Sequence, residues 1–229
     1  MSIRAAHHNR PWVIFDFDGT LADSLELIYQ SAAAIGRRYR LASIPTREEF
    51  YSLSSREILI GRMGLNAWRR WKWARRLRRE LYRRCDEIQL FPGITNLLLD
   101  LAHSCNLGLL TLEEDRLVHR TMTRNQVTVF SRYFCSIGVF NKARILRKLP
   151  RLFGTEPQQI IMVGDEGERD IQPASSLGYS TIAVTWGKDN QETLVAAKPT
   201  YVVRSVPELR QSILRACQGL ITPRRNNIW

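Results

Sequence analysis

The stretch WVIFDFDGTL, residues 12–21, decides the fold. Trp12–Phe15 is a continuous apolar run of strand length, the pattern of a strand covered by helices on both faces. Asp16 and Asp18 follow at its end, one residue apart, and Gly19 lets the backbone turn away beyond them. Two carboxylates so placed can face one substrate, one attacking while the other moves a proton. The plain alternative is an Asp-x-Asp-Gly turn that only ends a strand.

Outward from this stretch, similar apolar runs recur at Leu107–Leu110, Ile160–Val163 and Thr181–Thr185, with weaker ones at Cys135–Val139 and Tyr201–Val203. Helical patterns separate them, so the expected fold is α/β, a doubly wound, Rossmann-like parallel sheet. Three of the runs end in hydroxyl or carboxylate chemistry: Asp16, Thr111 and Asp165. Ligands of open α/β sheets bind outside the carboxyl ends of the strands, so these side chains are expected to converge on one crevice.

From Ser24 to about Ile88 the pattern turns helical. Pro45-Thr46-Arg47-Glu48 reads as a helix start, and Asn66 to Arg84 as a long amphipathic helix with Trp68, Trp71, Ala74, Leu77 and Leu81 on one face. Phe91-Pro92-Gly93 then breaks the chain. The expected organisation is a hydrolase core of residues 10–23 and 89–218, a small all-helical, Arg-rich cap of residues 24–88 inserted after the first strand, and a loose basic tail of residues 219–229.

Composition sets the outer bounds. Of 229 residues, 44% are hydrophobic and 24% charged, enough apolar surface for a packed core. Lys and Arg number 34 against 22 Asp and Glu, a formal charge of +12 that favours anionic partners without choosing among phosphorylated small molecules, nucleic acid and an acidic membrane surface. Cys85, Cys105, Cys135 and Cys217 form no Cys-x-x-Cys pair or zinc spacing, so reduced thiols are expected. With no apolar leader and no run approaching a membrane span, a cytoplasmic location is expected.

The motif DFDGTLADS of residues 16–24 resembles the first signature of the haloacid dehalogenase superfamily. The resemblance continues in order with Thr111 in GLLT, Lys142 in FNKARIL, and Asp165 and Asp170 in VGDEGERD, spanning residues 12 to about 187. In the cap it extends only to position and helical character. It implies a phosphoglycolate-phosphatase-like hydrolase acting on a small phosphorylated substrate, with Asp16 attacking phosphorus to form an aspartyl-phosphate and Asp18 as acid/base partner. Thr111 and Lys142 would position and neutralise the phosphate. Mg²⁺ would be held by Asp16, Asp18 through its backbone carbonyl, and Asp165, while Asp170, beyond the metal's immediate reach, would orient either Lys142 or a metal-bound water. An aspartate at position 18 favours phosphoryl transfer, since relatives acting on carbon–halogen bonds generally lack it. A phosphomutase of the same fold is the alternative within this chemistry.

Thr111 is followed by Leu112-Glu113-Glu114-Asp115, where the family often carries small or amide residues. Either Glu113 faces the phosphate and opposes its binding, or the acids open the next helix and favour its N-terminus. The helix start is the expectation. The cap concentrates Arg62, Arg69, Arg70, Lys72, Arg75, Arg76, Arg78, Arg79, Arg83 and Arg84 around Trp68, Trp71 and Trp73. These form a solvated face over packed tryptophans, grip additional negative charge on a small substrate, or bind a polyanion such as nucleic acid or an anionic surface. The last would also suit a catalytically weakened member of the fold.

Overall fold

The computed structural model describes residues 10–39, 44–53, 57–63, 66–137 and 141–221. Its strands are β1 (Trp12–Phe15), β2 (Ala22–Asp23), β3 (Gln89–Leu90), β4 (Asn106–Leu110), β5 (Arg132–Phe134), β6 (Ile160–Gly164), β7 (Ser180–Val184) and β8 (Tyr201–Val203). The helices are α1 (Leu25–Arg38), α2 (Arg47–Ser52), α3 (Ala67–Arg83), α4 (Ile94–Leu101), α5 (Asp115–Arg124), α6 (Lys142–Leu146), α7 (Leu149–Phe153), α8 (Gln172–Ser175), α9 (Gln191–Ala196) and α10 (Val206–Ile221).

Six strands form one parallel sheet in the order β5-β4-β1-β6-β7-β8. Alternate residues of the apolar runs feed opposite faces. Val13, Phe15, Leu107, Leu109, Ile161 and Val163 join one core with Leu98, Val118 and Ile213 from α4, α5 and α10. Ile14, Leu110, Ile160 and Met162 pack with Leu146 and Leu149 on the other side. Each fully buried side chain of this kind contributes roughly 1.5–3 kcal/mol, so these short strands need no alternating pattern to hold their place.

The edge strand departs from expectation. Sequence pattern pointed to Cys135–Val139, whereas β5 runs from Arg132 to Phe134 and, among the described residues, pairs only with β4. Covered on one side alone, it carries an exposed Arg132 and lacks a continuous apolar run; residues 138–140 lie outside the described residues.

A two-stranded antiparallel ribbon, β2 with β3, ties together the ends of the helical segment. Phe91 N reinforces it by donating to Leu21 O at 2.9 Å. Between these strands α1 packs on α3, and Leu27, Leu81, Cys85 and Ile88 continue the main core upward. Farther out, Ile58 and Met63 pack with Phe50, Leu53 and Trp73. Thr46 caps α2 with a reciprocal box to Glu49, and Asn66 caps α3 through the Arg69 amide.

The inward face of α3 is not the one expected. Leu81 is buried and Leu77 packs on the core, but Trp68 and Trp71 are 62% and 58% exposed, and Trp73 turns inward instead. The expected tail also begins too early, because α10 continues to Ile221; residues 222–229 lie outside the described residues. All four cysteines are free, with Cys105 Sγ 3.7 Å from Cys217 Sγ. No helix among the described residues is long and apolar enough to cross a membrane.

Candidate active site

The three central strands β4, β1 and β6 end side by side, which sets Thr111, Asp16 and Asp165 along one edge of the sheet. Gly19, at φ +72°, turns the chain after Asp18 so that Thr20 returns to the site. Thr20 Oγ1 donates to Asp165 Oδ1 at 3.0 Å, and the Lys188 amide donates to Asp165 Oδ2 at 2.8 Å. A Cβ at Gly19 or Gly187 would overlap the Asp165 carboxylate, so both positions require glycine for close approach.

Lys142, the first residue of α6, reaches Asp16 Oδ1 at 2.8 Å and pairs also with Asp170 Oδ1. Asp170 is carried by a π-helical turn, Gly167–Ile171, directly after β6, and accepts the Glu166 amide at 3.2 Å. Carboxylate oxygens of Asp16, Asp165 and Asp170 lie within 4.8 Å of one another. Expected to stand beyond a metal's immediate reach and to orient Lys142 or a metal-bound water, Asp170 is folded back by the tight turn over the five-residue gap, beside the other two acids and paired with Lys142.

Asp18 is half-buried, and its Oδ1 accepts the Ser24 hydroxyl at 2.5 Å. Thr111 is fully buried with its oxygen accepting the Glu113 amide at 3.1 Å, and it is not among the residues lining the adjoining cavity. The sequence reading missed Thr20, Ser24, Glu166, Arg169 and Lys188. Ser24 and Thr20 sit inside the quoted motif and could have been weighed there; Lys188 carries no motif.

Three or more acids in so little space must compete for charge. Burial, then the neighbouring Glu113, pushes Asp18 well above the usual carboxylate range, with the Ser24 hydrogen bond opposing. Asp165 is likewise raised by burial and by Asp16, Glu166 and Asp170. Burial lifts Asp170 to about 7 against the pull of Lys142. For Lys142 burial works downward, but Asp16 and Asp170 outweigh it and keep the ammonium protonated. Glu166 is also buried, yet Arg169 at 2.7 Å and Lys188 at 3.3 Å hold it below the ordinary range. Asp16, Asp165 and Asp170 share one lysine among them, and their donors are all oxygen, a set that suits a hard divalent cation such as Mg²⁺.

Above the acids lies a cavity of about 170 Å³. Asp16, Asp18, Glu166, Arg169 and Lys188 form its floor side, and Leu25, Ile28, Phe50, Ile58, Leu77 and Leu112 give it apolar walls. Glu113 also lines it and is only 9% exposed, while Glu114 stands at the N-cap position of α5 with no capping hydrogen bond from its side chain and Asp115 begins the helix. The expectation for the acidic run therefore holds for Glu114 and Asp115 and is corrected for Glu113. The loop turns Glu113 inward because its amide is taken by Thr111 Oγ1 and its carbonyl by the Ser136 amide at 2.7 Å. Of the cap arginines, Arg78 lines the cavity; Arg69, Arg75, Arg79 and Arg83 are exposed, and Arg84 pairs with Glu87 at 2.7 Å. The side chains of Arg62 and Arg70 lie outside the described residues.

Residues 13–184 match the haloacid dehalogenase-like hydrolase family. A phosphoglycolate phosphatase of Synechococcus elongatus is 33% identical over 205 residues, covering 88% of this chain and 96% of that protein. A 5'-nucleotidase of Pseudomonas aeruginosa is 26% identical over 220 residues, covering 91% and 98% respectively. Among solved structures, a haloacid dehalogenase-like hydrolase from Streptococcus pneumoniae superposes with a TM-score of 0.75 at 22% identity, over 89% of this chain and 98% of that one, a likeness of fold.

Proposed function

The chain belongs to the haloacid dehalogenase-like hydrolase family, and from that premise we propose that it is a Mg²⁺-dependent phosphatase hydrolysing a small phosphomonoester through an aspartyl-phosphate. The observation that carries this reading is the cluster of Asp16, Asp165 and Asp170 around Lys142, with Asp16 reaching the adjoining cavity.

Asp16 attacks phosphorus, and Lys142, 2.8 Å away, fixes its carboxylate and offsets charge on the phosphate. Asp18 starts the reaction protonated, which its burial and the nearby Glu113 favour, and gives its proton to the leaving alkoxide. In the second half it takes a proton from the water that attacks the intermediate. Thr111, buried off the cavity, positions the Glu113 loop by accepting its amide rather than touching the phosphate. Asp170 and Ser24 are positioning residues, the first for Lys142 and the second for Asp18.

Asp16, the backbone carbonyl of Asp18, and Asp165 would hold Mg²⁺, with Asp170 close by. When bound, the ion supplies the charge neutralisation that lets an anionic nucleophile meet an anionic phosphate, a repulsion of about 4 kcal/mol per pair of unit charges at 4 Å and an effective dielectric of 20. The helical segment of residues 24–88 acts as a cap that excludes water from the reaction and sets specificity.

Purified protein with Mg²⁺ should release phosphate from an activated aryl phosphate, a chelator should stop this, and Asp16→Asn should be inactive. Unaltered turnover in the Asn variant would defeat the nucleophile assignment. A second reading, binding of a polyanion, is supported by one observation on α3: exposed Trp68 and Trp71 carry Lys72 and Arg75 over their rings, at 3.6 and 5.6 Å from the ring centroids. Salt-sensitive binding of single-stranded nucleic acid that is lost in Trp68→Ala/Trp71→Ala would favour it; no binding at low salt removes it.

A further inference from the structure

We propose that Glu113 and Trp73 form a recognition subsite for a hydroxyl group on the leaving alcohol, so that the preferred substrate is a phosphomonoester of a polyol or sugar. The inference rests on the phosphatase reading above and refines it. Both side chains line the cavity above Asp16 and Asp18. Among the described residues, Glu113 Oε2 and Trp73 Nε1 are buried without hydrogen-bond partners. An acceptor and a donor buried and left unpaired each carry a desolvation cost that a bound group can relieve.

The pair discriminates among alcohols by chemistry. Indole Nε1–H can only donate, and an ionised carboxylate can only accept. A hydroxyl does both, donating to Glu113 and accepting from Trp73. An extra carboxylate would accept from Trp73 but be repelled by Glu113. An ammonium would pair with Glu113 but leave Trp73 unsatisfied. Arg78, which also lines the cavity, does not reverse this: its charge is matched by that of Glu113, and its guanidinium is partly engaged with Leu112 O at 3.4 Å. The aliphatic walls of Leu25, Ile28 and Leu77 suit the C–H faces of such a carbon skeleton.

The test is a comparison of kcat/KM at pH 8 with Mg²⁺ for glycerol 3-phosphate, phosphoglycolate and phosphoethanolamine, with an aryl phosphate alongside. The wild type should prefer glycerol 3-phosphate over each of the other two by about tenfold or more. Glu113→Gln, which puts an amide donor in place of the charge, should shift the phosphoglycolate-to-glycerol-3-phosphate ratio about tenfold toward phosphoglycolate. Trp73→Phe should raise KM for glycerol 3-phosphate more than for phosphoethanolamine. Effects common to all substrates cancel in these ratios. Equal or reversed preference in the wild type, or a ratio unmoved by Glu113→Gln, overturns the subsite while aryl phosphate turnover leaves the phosphatase reading standing. Absence of turnover on every ester overturns both.

Discussion

Glu113→Gln should make the metal-free protein more stable, and only on the alkaline side. Burial is the main reason the Glu113 carboxyl rises from its ordinary 4.5 to about 7, with Arg78 and a hydrogen bond from the Glu114 backbone opposing and the charges of Glu114 and Asp16 adding to the rise. Below about pH 4.5 folded and unfolded chains both hold the proton, so the residue contributes nothing to the balance. Between about 4.5 and 7 the unfolded chain ionises while the folded one keeps its proton, and stability falls as pH rises. Above about 7 the full penalty is in place and constant, roughly 3.5 kcal/mol from a gap of about 2.5 pH units at about 1.4 kcal/mol each. Gln keeps the shape and removes the charge. Urea or thermal unfolding in chelator at pH 4.5 and pH 8.5 should show little difference at the first and a gain of roughly 3.5 kcal/mol at the second, about 7–14 °C for a chain of this size. A variant equal to wild type at pH 8.5, or less stable, would refute the inward, uncompensated placement of Glu113.

Lys142→Met should cost about 3–5 kcal/mol in metal-free unfolding and abolish turnover, because Asp16 and Asp170 lose the cation they share; loss of activity with stability unchanged would contradict the buried pairing. Mg²⁺ at about a hundred times its Kd should stabilise the wild type by about 2.7 kcal/mol, read as a rise in Tm. Gly187→Ala should remove most of that rise, since its Cβ would collide with the Asp165 carboxylate; an undiminished Mg²⁺ shift in the variant would count against Asp165 as a ligand.

The strands that position the site were legible because each is buried on both faces: β1, β4, β6 and β7 appear within a residue of where continuous apolar runs put them. β5 was misplaced because an edge strand pairs once and packs on less, so its sequence need not be apolar throughout. On α3 the helical period was correct but tryptophan misled the choice of face: counted as apolar, Trp68 and Trp71 are amphipathic side chains that sit exposed under Lys72 and Arg75. Asp16, Lys142, Asp165 and Asp170, from the first, third and fourth motifs, lie together, whereas Thr111 of the second is buried off the cavity. The inward turn of Glu113 depends on hydrogen bonds from Ser136 and to Thr111, and the latter residue is close in sequence but the former is not. Trp73 reaches the same cavity only through tertiary packing, which no local pattern encodes.

The most direct measurement follows labelled phosphate from an ester into the protein. Rapid acid quenching during turnover with Mg²⁺, followed by proteolysis and mass spectrometry, should find the label on the peptide containing Asp16, releasable by hydroxylamine as an acyl phosphate must be, and absent in Asp16→Asn. Full turnover with no labelled protein at any quench time, or label held on another residue, would contradict the account.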